Sequence, residues 1–176
     1  METGKKGLLH IYCGDGKGKT TSAVGLVVRC AGAGKKVLLY QFMKNNSSSE
    51  RTILEVIPNI TCQKGNEGAK FSFQMTEEEK IKAREENDHM VSLLFEQAKD
   101  YDVLFLDEPL YAIRAGLLSE ELLIECLKSR KPELEVILTG RDPSEALLQY
   151  ADYVSEIKKV KHPFDKGVNS RLGIEY

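Results

Sequence analysis

With 176 residues, 41% of them hydrophobic and 30% charged, the chain has the size and composition of one soluble globular domain and lies far from the disordered range. Its net charge of -2 argues against a general nucleic-acid binder, which needs a surplus of Lys and Arg to displace counterions. No apolar run approaches a membrane span, residues 1–7 lack the apolar core of a signal peptide, and the cysteines at 13, 30, 62 and 126 show no C-x-x-C spacing, so one cytoplasmic domain with buried, reduced thiols is expected over 1–176.

In chain order, the apolar residues 8–13 predict a strand. Gly14-Asp15-Gly16-Lys17-Gly18-Lys19-Thr20-Thr21 follows directly. A strand, a glycine-rich turn and Gly-Lys-Thr opening a helix is the layout of a P-loop. Its glycines aim successive N–H groups inward, and the helix N-terminus adds the positive end of its dipole. Lys19 supplies a mobile charge to phosphates, and the Thr20 hydroxyl lies where such loops hold Mg²⁺. Against the spacing G-x-x-x-x-G-K-[ST], Cys13 stands where the first glycine belongs and Gly14 comes one place late. A tighter loop is expected.

Residues 20–31 predict a helix that is apolar nearly all round, through Ala23, Val24, Leu26, Val27, Val28 and Cys30, and so largely buried. Residues 36–42 form a continuous apolar run suited to a central parallel strand covered on both faces. Residues 43–49 read as an exposed loop at its carboxyl end, the edge where open α/β folds bind ligands. A short helix over 50–56 and a short strand over 60–63 follow, then a stretch over 64–74 with two glycines and Phe71-Ser72-Phe73. Thr76 and Glu79 form a capping box opening a helix to about residue 99. Its charged first half, with Ile81 the main apolar residue, predicts a solvated face, while Val91, Leu94, Phe95 and Ala98 place the second half in the core.

Residues 102–108 read as a buried strand ending in Asp107 and Glu108. Acids delivered at a strand end after a P-loop match the second motif of P-loop proteins, whose acid positions Mg²⁺. The pattern does not say which of the two touches the metal. A helix over 117–127, a strand over 134–138 and a turn through Thr139-Gly140-Arg141 into a helix near Ser144 bring Arg141 to the same edge. A last strand over 153–159 and a tail over 160–176 complete one α/β domain without internal repeats.

Taken together, several stretches resemble the ATP:corrinoid adenosyltransferases of the CobA/CobO/BtuR type. They are the loop from Gly14 to Thr21, Gln41-Phe42-Met43-Lys44, Phe71-Ser72-Phe73, Leu106-Asp107-Glu108 with Tyr111, Thr139-Gly140-Arg141, and the tail His162-Pro163-Phe164-Asp165 through Gly173-Ile174-Glu175-Tyr176. The likeness runs from about residue 8 to the C-terminus. It implies a RecA-like P-loop NTPase fold, with a mostly parallel central sheet and helices on both faces, and a homodimer. It also implies a reaction in which a corrinoid, reduced to Co(I), attacks the 5′ carbon of ATP and triphosphate leaves whole, in cobalamin biosynthesis or salvage. A nucleophile of that strength needs no Ser-His pair or general base, only positioning and charge stabilisation of the leaving group.

Carried over by motif, Gly14, Asp15, Gly16, Lys17, Gly18, Lys19, Thr20 and Thr21, with Arg141, hold the triphosphate of an ATP that lies reversed relative to other P-loop enzymes. Thr20 with Glu108 and Asp107 hold Mg²⁺ or Mn²⁺. Phe71 and Phe73 match a Phe-x-Trp pair that displaces the lower cobalt ligand, which eases reduction by a transient donor such as a flavoprotein. Three departures stand out: Phe73 in place of Trp, Asp15 in place of a common Asn, and only about seven residues before the first strand, so that the N-terminal arm of many relatives is expected to be largely missing. The same motifs also suit a RecA-like ATPase or small kinase, with Glu108 activating water, and a non-catalytic ATP or corrinoid binder.

Overall fold

The computed structural model describes residues 6–65 and 74–175. Six strands form one parallel sheet in the order β3-β2-β4-β5-β1-β6. They are β1 (Leu9–Cys13), β2 (Val37–Gln41), β3 (Ile60–Cys62), β4 (Val103–Asp107), β5 (Glu135–Thr139) and β6 (Tyr153–Glu156). Among the described residues, six α-helices connect them: α1 (Lys19–Gly32), α2 (Ser49–Leu54), α3 (Glu77–Gln97), α4 (Pro109–Arg114), α5 (Glu120–Ser129) and α6 (Glu145–Leu148). All five residues of β2 and all five of β4 are buried, as their unbroken apolar runs predict for strands covered on both sides.

Successive strand residues point to opposite faces, and this alternation divides the core in two. Leu9, Ile11, Leu38, Leu104, Leu106, Val136 and Leu138 pack with Val91 and Leu94 of α3 and with Leu123 and Leu127 of α5. Val37, Leu39, Val103, Phe105 and Ile137 pack on the other face with Ala23, Val27 and Ala31 of α1. Helices therefore cover both faces. Truncating a fully buried ring such as Phe105 to Ala would cost about 3–5 kcal/mol.

α1 departs from expectation. Only Lys19, Ala23, Val27 and Ala31 are buried, and Val28 is 42% exposed, so the helix presents one face to the sheet instead of lying within the core. Val24, Leu26 and Cys30 are half-buried at the margin of that contact. α3 behaves as its pattern predicts: the capping box of Thr76 and Glu79 is formed, Ile81 is exposed, and Val91 and Leu94 are fully buried. α4 was not anticipated, and α5 begins later than predicted, at Glu120, capped by the Ser119 hydroxyl on Leu122 N–H. The final strand is shorter than expected, and β6 is an exposed edge. All four cysteines are free, but only Cys13 is buried; the other three are half-buried.

Candidate functional site

Cys13, Gln41, Asp107 and Thr139 end four neighbouring parallel strands at one edge, with Tyr12 opposite Thr139 and Gln41 opposite Asp107. The P-loop leaves β1 there. Gly18, at φ 119°, caps α1 without any side-chain hydrogen bond, so the first-turn N–H groups are left to an incoming anion. Lys19 is buried, and its ammonium donates to Gly16 O at 3.0 Å. Burial lowers its pKa, and the Glu108 charge opposes that shift.

Two of the loop glycines are required by a close approach from the other end of the chain. A Cβ on Gly14 would lie 2.4 Å from Ile157 O, and one on Gly16 would lie 2.8 Å from the same atom. Gly16 N–H donates to Ile157 O at 2.7 Å, and Ile157 N–H donates to Cys13 O at 2.8 Å. Asp15 faces this strap and not the phosphate cradle: its carboxylate accepts the Lys159 N–H at 2.8 Å, the main reason its pKa is lowered. The charge of Asp15 still acts on Lys19 within the loop, favouring the ammonium. Lys17 and Thr21 are exposed, and the charge of Lys17 acts on Glu175 in the tail.

The two acids have separate roles. Asp107 is fully buried and accepts four hydrogen bonds. Oδ1 takes the Thr20 and Thr139 hydroxyls at 2.8 and 2.7 Å, and Oδ2 takes Lys44 Nζ and Gln41 Nε2 at 2.8 and 3.1 Å. Those donors use its lone pairs. Glu108, in contrast, has a left-handed backbone at φ 61°, costing on the order of 1–3 kcal/mol for a residue with a Cβ. Thr139 Oγ1 accepts the Glu108 N–H at 2.8 Å and holds that geometry. The Glu108 carboxyl is pushed up by burial and by Asp107, against the pull of Lys19, Lys44 and Arg141.

A hard divalent cation fits this donor set. The Thr20 hydroxyl gives its proton to Asp107 and keeps its lone pairs, while the carboxylate of Glu108 has no hydrogen bond among the described residues. No group of three His, Cys, Asp or Glu able to hold a metal occurs among the described residues, so phosphate oxygens or water would have to complete the shell. Arg141 is exposed at the same edge, and its charge reaches Lys19, Glu108 and Asp15. Phe71 and Phe73 lie outside the described residues.

Sequence reasoning assigned no role to Gln41, Lys44, Glu50 or Thr139, yet all four join the network around Asp107. Lys44 Nζ bridges Asp107 and Glu50, the latter at 3.1 Å, and Gln41 Nε2 bridges the same two carboxylates. Burial would lower the Lys44 pKa, but the two carboxylates outweigh it and raise the value. The available signal was a lysine placed three residues beyond a buried strand on the ligand-binding edge.

A sequence profile described as ATP:corrinoid adenosyltransferase BtuR/CobO/CobP matches residues 5–176. A corrinoid adenosyltransferase of Escherichia coli K12 is 35% identical over 173 residues, covering 98% of this chain and 87% of the relative. One from Salmonella typhimurium LT2 is 34% identical with the same coverage, and one from a Sinorhizobium species is 30% identical over 99% of this chain and 83% of its own length. Among solved structures, a KaiC-like protein of Pyrococcus horikoshii superposes with a TM-score of 0.53 at 15% identity, covering 87% of this chain and 73% of that one. An ATPase segment of Geobacillus thermodenitrificans EssC gives 0.52 at 15% identity, over 96% and 36%. These structural likenesses bear on the fold alone and agree with a RecA-like P-loop architecture.

Proposed function

This chain belongs to the ATP:corrinoid adenosyltransferase family, and on that premise we propose that it moves the 5′-deoxyadenosyl group of ATP to the Co(I) centre of a corrinoid, releasing triphosphate. The observation that carries the reading is the division of labour at the sheet edge. Lys19 and the open N-terminus of α1 form a cationic cradle, and the polar side chains bonded beside it fix one another instead of activating a nucleophile. In the transfer, the bond from C5′ to the triphosphate oxygen breaks with its electron pair leaving on oxygen. The new carbon–cobalt bond takes its pair from Co(I), which ends as Co(III).

The protein's part is to hold the triphosphate and favour its growing charge. Lys19 donates to phosphate oxygen in place of Gly16 O, and the α1 N–H groups and Arg141 add positive potential. Desolvation strengthens each of these interactions. Thr20 and Glu108 would hold Mg²⁺ or Mn²⁺, with Asp107 holding the Thr20 hydroxyl; the cation would supply charge neutralisation on the phosphates. Phe71 and Phe73 are assigned to displacing the lower cobalt ligand. A homodimer, a transient flavoprotein donor and a cytoplasmic setting belong to the same reading and rest on the family resemblance.

Glu108 also suits a second reading, since a carboxyl with a raised pKa at this edge could activate water in an ATPase. The products decide between them. Incubation with ATP, Mg²⁺ and a chemically reduced Co(I) corrinoid is expected to give adenosylcorrinoid and intact triphosphate in equal amounts. ADP and phosphate formed at the same rate without corrinoid would refute adenosyl transfer.

A further inference from the structure

Lys44 leaves the sheet three residues after β2, on a segment whose backbone is forced into the left-handed region at Met43 (φ 59°) and Asn46 (φ 65°). Left-handed non-glycine residues persist where surrounding contacts over-determine them. The segment is tied at both ends. Lys44 Nζ reaches Asp107 and Glu50, and the Asn46 amide exchanges two hydrogen bonds with the Gly65 backbone at 3.1 and 2.8 Å. Lys44 forms the sole ion pair to Asp107 among the described residues, and its side chain keeps 28% of its surface exposed beside a carboxylate with none.

A further cost marks the cluster as something other than a stability device. Among the described residues, Gln41 Oε1 is buried without a hydrogen-bond partner, and a buried acceptor left unpaired loses the water it gave up. Turning the amide over would set oxygen against the carboxylates of Asp107 and Glu50, so its orientation is fixed by those two anions. Glu50, Gln41 and Lys44 thus form a brace whose far end is Asp107, and Asp107 in turn holds the Thr20 hydroxyl.

We propose that Lys44 is a positioning residue for the phosphate edge: its ammonium, anchored by Glu50, holds the Asp107 carboxylate so that the Thr20 proton points inward and the Thr20 lone pairs face the cation-bound triphosphate. The inference rests on the adenosyltransferase reading for the identity of the triphosphate ligand. Without the ammonium, the Asp107 carboxylate loses its charged partner and draws on its remaining donors. With Oδ2 no longer pinned by Lys44, the carboxylate can swing about its Cβ–Cγ bond and carry Oδ1 away from the Thr20 hydroxyl, whose proton is then unheld and whose lone pairs lose their fixed direction toward the cation.

The test is calorimetric ATP binding with and without Mn²⁺, for the wild type, Lys44→Met and Lys44→Arg. The readout is the ratio of the two ATP dissociation constants. Lys44→Met is expected to reduce the Mn²⁺-dependent gain at least fivefold while changing metal-free ATP binding less than threefold, and Lys44→Arg is expected to keep the gain within twofold. A wild-type gain in Lys44→Met, or no gain in the wild type, overturns the proposal. If Lys44→Met loses the wild-type near-UV circular dichroism, ¹⁵N-lysine NMR of the wild type decides. The Lys44 ammonium, assigned through Lys44→Arg, is expected to show slowly exchanging protons and to shift on adding Mg²⁺ to the ATP complex. Fast exchange with no shift overturns it. Wild-type protein that shows the Mn²⁺ gain but forms no adenosylcorrinoid refutes the reaction and leaves the role of Lys44 standing.

Discussion

Gly16→Ala tests the contact between the glycine-rich loop after β1 and the strap over 157–159. An alanine Cβ would lie 2.8 Å from Ile157 O and Lys158 C and 2.9 Å from Ile157 Cγ2, against an ordinary contact of at least 3.4 Å. Two of those atoms are backbone, so the strap must retreat. The retreat breaks the Gly16 N–H bond to Ile157 O and the Lys159 N–H bond to Asp15. Overpacking that forces a backbone shift costs about 1–3 kcal/mol, so the loss is taken at about 2 kcal/mol. The reduced freedom of the unfolded chain returns about 0.4–1 kcal/mol, leaving about 1–2 kcal/mol of destabilisation. For a domain of this size, the thermal midpoint is expected to fall by about 2–8 °C. Native-state hydrogen exchange should show the Gly16 and Lys159 amides losing protection while the β4 amides keep theirs. Gly18→Ala is the control, since nothing lies within 4 Å of its Cβ and only the φ of 119° is strained; it should leave the Lys159 amide protected. A Gly16→Ala protein with wild-type protection at Gly16 and Lys159 would refute the close-packing argument.

On the proposed placement of ATP, Lys19→Ala would remove a buried ammonium from the leaving triphosphate and is expected to lower turnover at least a hundredfold, read by the loss of Co(I) absorbance; near wild-type rates would mean that ATP is placed elsewhere. On the role proposed for Phe73, Phe73→Ala should slow adenosylation starting from Co(II) much more than from chemically prepared Co(I), and equal losses in the two assays would refute that role. Glu50 has a lowered pKa because Lys44, Gln41 and its own backbone hydrogen bond together outweigh the effect of burial. Its charge therefore contributes stability above the ordinary carboxylate pKa of about 4.3, and that contribution disappears as pH falls through the lower folded value. The stability gap between wild type and Glu50→Gln, measured by urea denaturation, should be constant from pH 7 to 5 and close below pH 4. A gap that widened in acid would reverse the sign of the argument.

What the sequence made legible was local or periodic. The loop from Gly14 to Thr20 could be read because its strand, turn and helix are contiguous, and β2 and β4 because both faces of a central strand are apolar. The separate roles of Asp107 and Glu108 could not be read, since they depend on Thr139 arriving from β5 and Lys44 from the loop after β2. The direction of Asp15 depends on a backbone N–H 144 residues away. The one-sided burial of α1 escaped because composition tells how apolar a helix is, and not how much of it its neighbours cover. α4 did leave a signal, a proline at the first helical position after Glu108, but so short a helix gives almost no periodicity.

The place of β1 in the sheet has a consequence for how the protein is made. β1 pairs with β5 and β6, the last two strands to be synthesised, and Asp152 accepts the Leu9 N–H across 143 residues of chain. A nascent chain emerging from the ribosome therefore carries its glycine-rich loop well before the strands that complete it. Until residues past 157 are free, the loop lacks the neighbours on both sides that shape it, and its apolar strand is exposed for most of translation. On the proposed function, products truncated before residue 157 should fail to hold nucleotide even when every loop residue is present, and nucleotide would stabilise only chains that extend past it.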